Sequence, residues 1–196
     1  MLRKDVTFAR PGPAITQDHL DAAKTALGGI ALPLDYERYL LRFNGARPEL
    51  TSGDPDAFQF VRVWWPADTV ADRTDHVALV NDFCDVDGNP DKASDLVRTH
   101  ADIEHLLPPD TLAFADEGGG SRFLFDLRPD RFGQVLFWRY EALGDETLAA
   151  AHPFHNVAWV APDFVEFINR IQRAPADWAA WEAALPPDAD VDWHPE

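Results

Sequence analysis

Basic residues and cysteine are scarce in this chain of 196 residues. Lys and Arg together number 17 against 34 Asp and Glu, so the formal net charge is −17, and the sequence isoelectric point is about 4.6. Because binding to phosphates needs clustered Lys and Arg, this composition argues against nucleic acid as a direct partner. The single cysteine, Cys84, excludes an intrachain disulfide and fits a reducing compartment.

Long apolar runs are missing as well. No stretch approaches the roughly 18 residues of a membrane span, and the N-terminal MLRKDVTFARPGP lacks the apolar segment of a secretory signal. We therefore expect a cytoplasmic protein that does not bind membranes. The residues that are present, 46% hydrophobic and 12% aromatic, predict a folded domain rather than a disordered acidic chain.

The hydrophobic patterns predict four helices within residues 16–107. Thr16 is a candidate N-cap for a first helix that Gly28-Gly29 ends, and LPLDYERYLLRFNGA forms a second with Pro33 in its first turn and Asn44-Gly45 as its left-handed exit. A third helical stretch is expected through Val77 and Val80, and a fourth within residues 94–107.

Strand patterns occur once in the first half of the chain and repeatedly in the second half. FQFVRVW at 58–64, LAFAD, RFLFDL, GQVLFWRY and VAWV alternate or form short apolar runs. Two amphipathic helices follow, the second of which contains Trp178 and Trp181. We predict an α+β single domain in which a central antiparallel meander of about five or six strands packs against helices. The predicted boundaries are an N-terminal loose arm at 1–13, the domain at 14–173, and a Trp-rich C-terminal helix and tail at 174–196.

No motif specifies a catalytic, metal or cofactor site. The triple glycine 118–120 is followed by a strand and has no nearby Lys, so it predicts a hairpin turn rather than a phosphate loop. In the acidic run 85–91, Pro90 stands where a calcium loop needs Gly. The nearest histidine pairs, His152 with His155 and His100 with His105, lack zinc spacing. The candidate nucleophiles Cys84, Ser52, Ser94 and Ser121 have no recognisable base.

The adjacent tryptophans Trp64 and Trp65 cannot both face inward from one strand, because successive side chains alternate. One hypothesis makes Trp65 an exposed interface anchor. The alternative is that another element covers the second face of the strand.

Taken in order, four segments resemble the SUKH superfamily, the Smi/Knr-like domain. They are LPLDYERYLLRFNGARPE, LAFADEGGGSRFLFDL, GQVLFWRYE, and PDFVEFINRIQ after VAWV, which together cover about Thr16 to Arg173. The resemblance implies that the matched residues are mostly structural, and they are Leu32, Pro33, Tyr36, Asn44, Gly45, Asp116, Gly118, Gly119, Gly133 and Trp138.

The resemblance also implies a non-catalytic binding protein. Many bacterial members are immunity proteins that neutralise a toxin domain, often a nuclease, from a neighbouring cell, whereas others are regulatory scaffolds in cell-wall signalling. We expect a cognate basic toxin as the partner, no cofactor, and a monomer or weak homodimer. The scaffold function stays open as the alternative and predicts an exposed apolar patch.

The acidity is concentrated in the centre of the chain. Residues 49–120 hold 16 acidic and 4 basic residues, whereas residues 1–48 hold 5 acidic and 7 basic ones. A basic nuclease would meet this charge as a mimic of its substrate, although the charge also fits a purely solubilising role. The predicted partner-binding residues are Asp82, Asp85, Asp87, Asp91, Asp116, Glu117 and Trp65.

Overall fold

A computed structural model describes residues 1–54, 56–66, 76–88, 94–140, 152–175 and 180. The helices are α1 (Gln17–Ala26), α2 (Leu34–Phe43), α3 (Leu96–Ile103) and α4 (Phe164–Arg170). The strands are β1 (Val6–Ala9), β2 (Arg47–Leu50), β3 (Gln59–Arg62), β4 (Val77–Leu79), β5 (Thr111–Asp116), β6 (Arg122–Asp126), β7 (Val135–Trp138), β8 (Val157–Ala161) and β9 (Gln172–Arg173). The predicted α+β class is confirmed.

The strands form three antiparallel sheets. β1 pairs with β2, β3 lies between β4 and β9, and β5–β6–β7–β8 form a meander. The predicted meander is present, with four strands instead of about five or six, because β3 joins a separate sheet. Single bridges extend both edges of the meander: Trp64 pairs with Trp159, and Phe83 pairs with Ala115.

Local sequence signals set the ends of the first two helices. The Thr16 side chain accepts a hydrogen bond from the His19 N–H at 3.5 Å, and Gly28 and Gly29 follow α1 with φ of 78° and 83°. Pro33 is the N-cap of α2 rather than a first-turn residue, and Asn44 ends the helix with φ of 40°. The predicted N-cap of α1 and left-handed exit of α2 are therefore present, whereas α2 begins one residue after the predicted first-turn position of Pro33.

Alternation along β6 divides the interior into two clusters. Phe123 and Phe125 face the main core, in which α2 and α4 cover the meander, whereas Leu124 joins Trp138 on the opposite face. The main core is rich in aromatic contacts. The Tyr36 ring lies 4.9 to 5.6 Å between centroids from the rings of Phe125, Phe164 and Phe114.

Two predicted segments have a different structure. The expected loose arm contains β1, which pairs with β2 from Val6↔Leu50 to Ala9↔Arg47, and the Arg3 guanidinium donates to the Ile171 carbonyl at 2.7 Å. The stretch predicted as helical through Val77 contains β4, because pairing with β3 outweighs an i, i+3 spacing that fits a helix equally well.

Some predictions lie outside the described residues, namely the C-terminal helix with Trp178 and Trp181, and Asp91. Across the part of the chain that is described, no helix combines the length and apolar character needed to cross a bilayer.

Candidate partner-binding surface

Residues 81–88 form an extended segment that carries three of the predicted partner-binding acids. Its first half follows β5, since the Asp116 N–H donates to the Asp82 carbonyl at 2.9 Å and the Cys84 N–H donates to the Phe114 carbonyl at 2.8 Å. Its second half meets α3, where the Leu96 N–H donates to the Asp85 carbonyl at 2.8 Å. The two ends of the segment therefore lie beside different elements.

Asn44 at the end of α2 holds the same segment from the other side. Its Oδ1 accepts from the Val86 N–H at 2.8 Å, and its Nδ2 donates to the carbonyls of Val86 and Pro13 at 3.0 and 2.7 Å. Gly45 is needed next to it, because a Cβ there would lie 2.5 Å from the Asp85 Cβ. This pair of residues is structural, as the resemblance implies.

The predicted acids occupy separate environments. Asp82 is exposed, and the half-buried Asp116 and Glu117 lie beside it at the β5–β6 hairpin, where Asn81 Nδ2 donates to Asp116 Oδ1 at 3.0 Å. Asp87 is half-buried at the other end of the segment. Asp85 differs from the other predicted acids because the residue is only 6% exposed. Gly45 lies against its Cβ and the Ser94 hydroxyl donates to its Oδ2 at 3.3 Å, so burial argues against a contact of this carboxylate with a partner.

Asp85, Asp87 and Asp95 bring carboxylate oxygens within 4.8 Å of one another, a spacing that a cation would accept. The Asp95 carboxylate is used by the fold. It caps α3 by accepting from the Arg98 N–H at 3.0 Å and also accepts from the Asp87 N–H at 3.3 Å. Helix capping therefore accounts for the position of the Asp95 carboxylate within this group.

Both Trp64 and Trp65 are packed against other aromatic residues. Trp64 is half-buried against Trp159, with ring centroids 5.3 Å apart, and Trp65 is half-buried against the main core with its ring 6.4 Å from that of Phe137. This packing agrees with the alternative in which both faces of the strand are covered.

A groove beside the β5–β6 hairpin was missed by sequence reasoning. This hairpin groove has a volume of about 770 Å³ and is bounded by β2, the start of β3, the end of β4 and residues 117–119. Phe58 and Leu79 line it and are 71% and 38% exposed. Phe58 could have pointed to this groove, because it directly precedes β3 and is two residues from Phe60, so both belong to one face of the strand pattern. Phe60 is buried and Phe58 is exposed, however, and nothing in the local sequence distinguishes them.

Charge in the hairpin groove is predominantly negative. The Arg173 guanidinium donates to the carbonyls of Ser52 and Ala57 at 2.9 and 3.2 Å, and Arg47 lies 3.5 Å from a carboxylate oxygen of Glu49. Asp56 and Glu117 also line the groove, and neither forms an ion pair within the described ranges. Acids therefore outnumber bases in the lining, three to two, and the acids Asp82 and Asp116 lie next to it.

A second groove, of about 660 Å³, lies between α1 and α3. Its walls are mainly small apolar residues such as Ala22 and Ala101, and its charged residues are Asp87, Asp95 and Arg98. Acids therefore also outnumber bases in this α1–α3 groove, but none of its lining residues is an exposed large apolar side chain.

Burial or existing hydrogen bonds occupy the candidate nucleophiles Cys84, Ser52 and Ser121. Cys84 is 6% exposed, and burial raises the pKa of its thiol to about 12, so the reactive thiolate is disfavoured. Ser52 donates to Asp5 at 2.8 Å, and the Ser121 Oγ accepts from the Tyr140 N–H at 3.3 Å. Over the described ranges, neither hydroxyl contacts a histidine base.

The residues implied by the resemblance occupy structural positions. Leu32, Tyr36 and Trp138 are buried, and Gly133 has φ of 88° in a turn that contacts Pro33. Gly118 has φ of 93° in the β5–β6 hairpin, so the triple glycine forms the predicted turn rather than a phosphate site.

Comparison with known proteins agrees with this geometry. Residues 14–170 match the model of the SMI1 / KNR4 family (SUKH-1). No curated protein and no solved structure matches the chain significantly.

Proposed function

The chain belongs to the SMI1 / KNR4 family (SUKH-1), and from this premise we propose that it is a bacterial immunity protein. It would neutralise a cognate polymorphic toxin by binding a basic toxin domain, such as a nuclease, without catalysis. The family includes immunity proteins. The observation that carries the proposal is the acidic surface at the β5–β6 hairpin, where Asp82, Asp116 and Glu117 lie together.

Charge supports this function through the rate of binding. An antidote must capture its toxin before damage accumulates, and complementary charge raises association rates to about 10⁸–10⁹ M⁻¹s⁻¹, against about 10⁵–10⁶ M⁻¹s⁻¹ for neutral surfaces. A net charge of −17 provides long-range attraction for a basic domain. The buried, high-pKa thiol of Cys84 favours binding over catalysis.

A regulatory scaffold is the second candidate, and one observation favours it. Exposed Phe58 and Leu79 supply the apolar patch that a scaffold would use. A scaffold, unlike an immunity protein, predicts no toxin gene beside its own.

The test is co-purification and rescue with the C-terminal domain of a secreted toxin encoded immediately upstream. We expect co-expression to restore growth and the purified proteins to form a stable complex. Replacing Asp82 and Glu117 by Asn and Gln should slow association and flatten its salt dependence, because long-range attraction is lost. The matched control Asp130→Asn, whose side chain is 78% exposed in the β6–β7 turn, should leave the rate unchanged.

The outcomes separate the candidates. A toxin domain that remains lethal and unbound in the presence of this protein contradicts the immunity function. Rescue with an unchanged association rate in the Asp82/Glu117 variant would retain the function and move its surface elsewhere.

A further inference from the structure

We propose that the hairpin groove docks a positively charged protein segment that inserts an apolar side chain onto Phe58 and Leu79. The inference rests on the proposed binding function and gives its partner a chemistry. This groove combines exposed apolar side chains with an excess of acidic over basic residues.

The apolar part of the argument is the exposure of Phe58. At 71% it is the most exposed aromatic residue of the described chain, and Leu79 adds a second exposed side chain to the same groove. The neighbouring positions Phe60 and Val80 are buried, so the fold already has its core without these two. A cavity of about 770 Å³ is large enough for a bulky side chain of a partner.

The charge on the rim selects the kind of occupant. Asp56 and Glu117 line the groove, and Asp82 and Asp116 lie next to its lining residues. Of the two arginines in the lining, Arg47 is paired with Glu49, whereas Arg173 donates to backbone carbonyls and keeps its positive charge. The four acids named above outnumber this one remaining base. The groove therefore attracts a partner that flanks its apolar side chain with Lys or Arg.

The same charge disfavours the other possible occupants. A second copy of this chain brings its own net charge of −17, and an anionic lipid surface or nucleic acid is also repelled. The α1–α3 groove is also lined by more acids than bases, but it lacks an exposed large apolar side chain on which a partner could pack.

The experiment titrates the ¹⁵N-labelled full chain with the capped peptide KRLWKR and follows backbone amide resonances. We expect shifts confined to residues 56–59, 79–82 and 116–120. Two control peptides, KRGGKR and EELWEE, should bind at least about tenfold more weakly, because each lacks one of the two complementary features.

Variants locate the binding. Replacing Phe58 and Leu79 by Ala should weaken KRLWKR about tenfold, and Asp56→Asn with Glu117→Gln should weaken it and reduce its salt dependence. Because these side chains are not part of the core, the amide spectrum should otherwise be preserved. The matched controls are Phe132→Ala, which is 44% exposed, and Asp130→Asn, both in the β6–β7 turn at the opposite end of β6. They should bind as the wild type does.

Several outcomes overturn the proposal: no binding of KRLWKR, shifts at another surface such as the α1–α3 groove, or equal affinity in the Phe58/Leu79 variant. A dimer in sedimentation that the Phe58→Ala substitution dissociates would make a second copy the occupant. Equal inhibition of a toxin by the wild type and the Phe58/Leu79 variant would contradict docking in the hairpin groove but not the immunity function. Absence of any toxin complex together with groove-specific peptide binding overturns the immunity function alone.

Discussion

Two buried tyrosines on α2, three positions apart, differ in whether their hydroxyl groups form a hydrogen bond. Tyr36 is fully buried among aromatic rings, and its hydroxyl has no hydrogen-bond partner among the residues that the structure describes. Tyr39 is also buried, but its hydroxyl donates to the carbonyl of Ala46. The first hydroxyl was desolvated without compensation, which costs about 1–3 kcal/mol, whereas the second makes a hydrogen bond of the usual net benefit.

Removing each hydroxyl should therefore change stability in opposite directions. We expect Tyr36→Phe to raise the free energy of unfolding by about 1 kcal/mol and Tyr39→Phe to lower it by about 1 kcal/mol, since the Ala46 carbonyl loses its donor. Urea denaturation at neutral pH measures both values. Two variants that shift in the same direction would contradict the assignment.

At the scale of the element, the exit from α2 links the helix to the acidic segment. Asn44 and Gly45 both have positive φ, of 40° and 80°. Gly45 carries a second constraint, because its missing Cβ leaves room for Asp85. The turn therefore determines where residues 81–88 lie relative to α2.

A comparison of two glycines isolates that second constraint. Gly29 has φ of 83°, close to that of Gly45, but a Cβ at Gly29 meets nothing within 4 Å. We expect Gly29→Ala to cost about 1 kcal/mol from the backbone alone, and Gly45→Ala to cost at least about 2 kcal/mol more because the segment must shift. Thermal or urea unfolding measures the difference. An equal loss of stability in the two variants would show that Asp85 moves aside at little energetic cost.

The elements that could be predicted from the sequence are those with local signals. Thr16, Asn44 and the alternation of Phe123 and Phe125 each specify structure within a few residues. β1 and β4 were missed because their partners are distant: Val6 pairs with Leu50, and nothing near Val77 distinguishes a strand from a helix.

In the candidate site, too, the features with local sequence signals could be predicted and those that depend on distant residues could not. The acids near the β5–β6 hairpin could be identified from charge alone. The burial of Asp85 depends on Gly45 and Ser94, and the exposure of Phe58 depends on how β3 begins, so both arise from tertiary packing that a local pattern does not contain.

For the molecule as a whole, buried groups that ionise at high pH make stability depend on alkalinity. Burial raises the pKa of Cys84 from 9.0 to about 12 and raises the pKa values of Tyr36 and Tyr39 above 10.0. Above these ordinary values, the unfolded chain binds fewer protons than the native one. Its free energy of unfolding therefore falls as pH rises, and for Cys84 this happens between about pH 9 and 12.

Cys84→Ala should make this decline shallower. Between pH 9 and 10 we expect the slope to decrease by up to about 1.4 kcal/mol per pH unit, because one group no longer releases its proton on unfolding. Urea denaturation at several pH values measures the slope. Val86→Ala, which removes buried volume without a titrating group, should lower stability but keep the wild-type slope. Parallel curves for the wild type and Cys84→Ala would contradict the prediction.

The contact between Arg3 and the C-terminal end of α4 also sets an order of events during synthesis. Arg3 donates to the carbonyls of Asn169 and Ile171, at 3.2 and 2.7 Å. On the ribosome, Arg3 emerges well before residue 171, so it can reach its final position only after residue 171 has left the exit tunnel. β1 can pair with β2 long before that, so the N-terminal segment is fixed in two stages, and the second closes the domain.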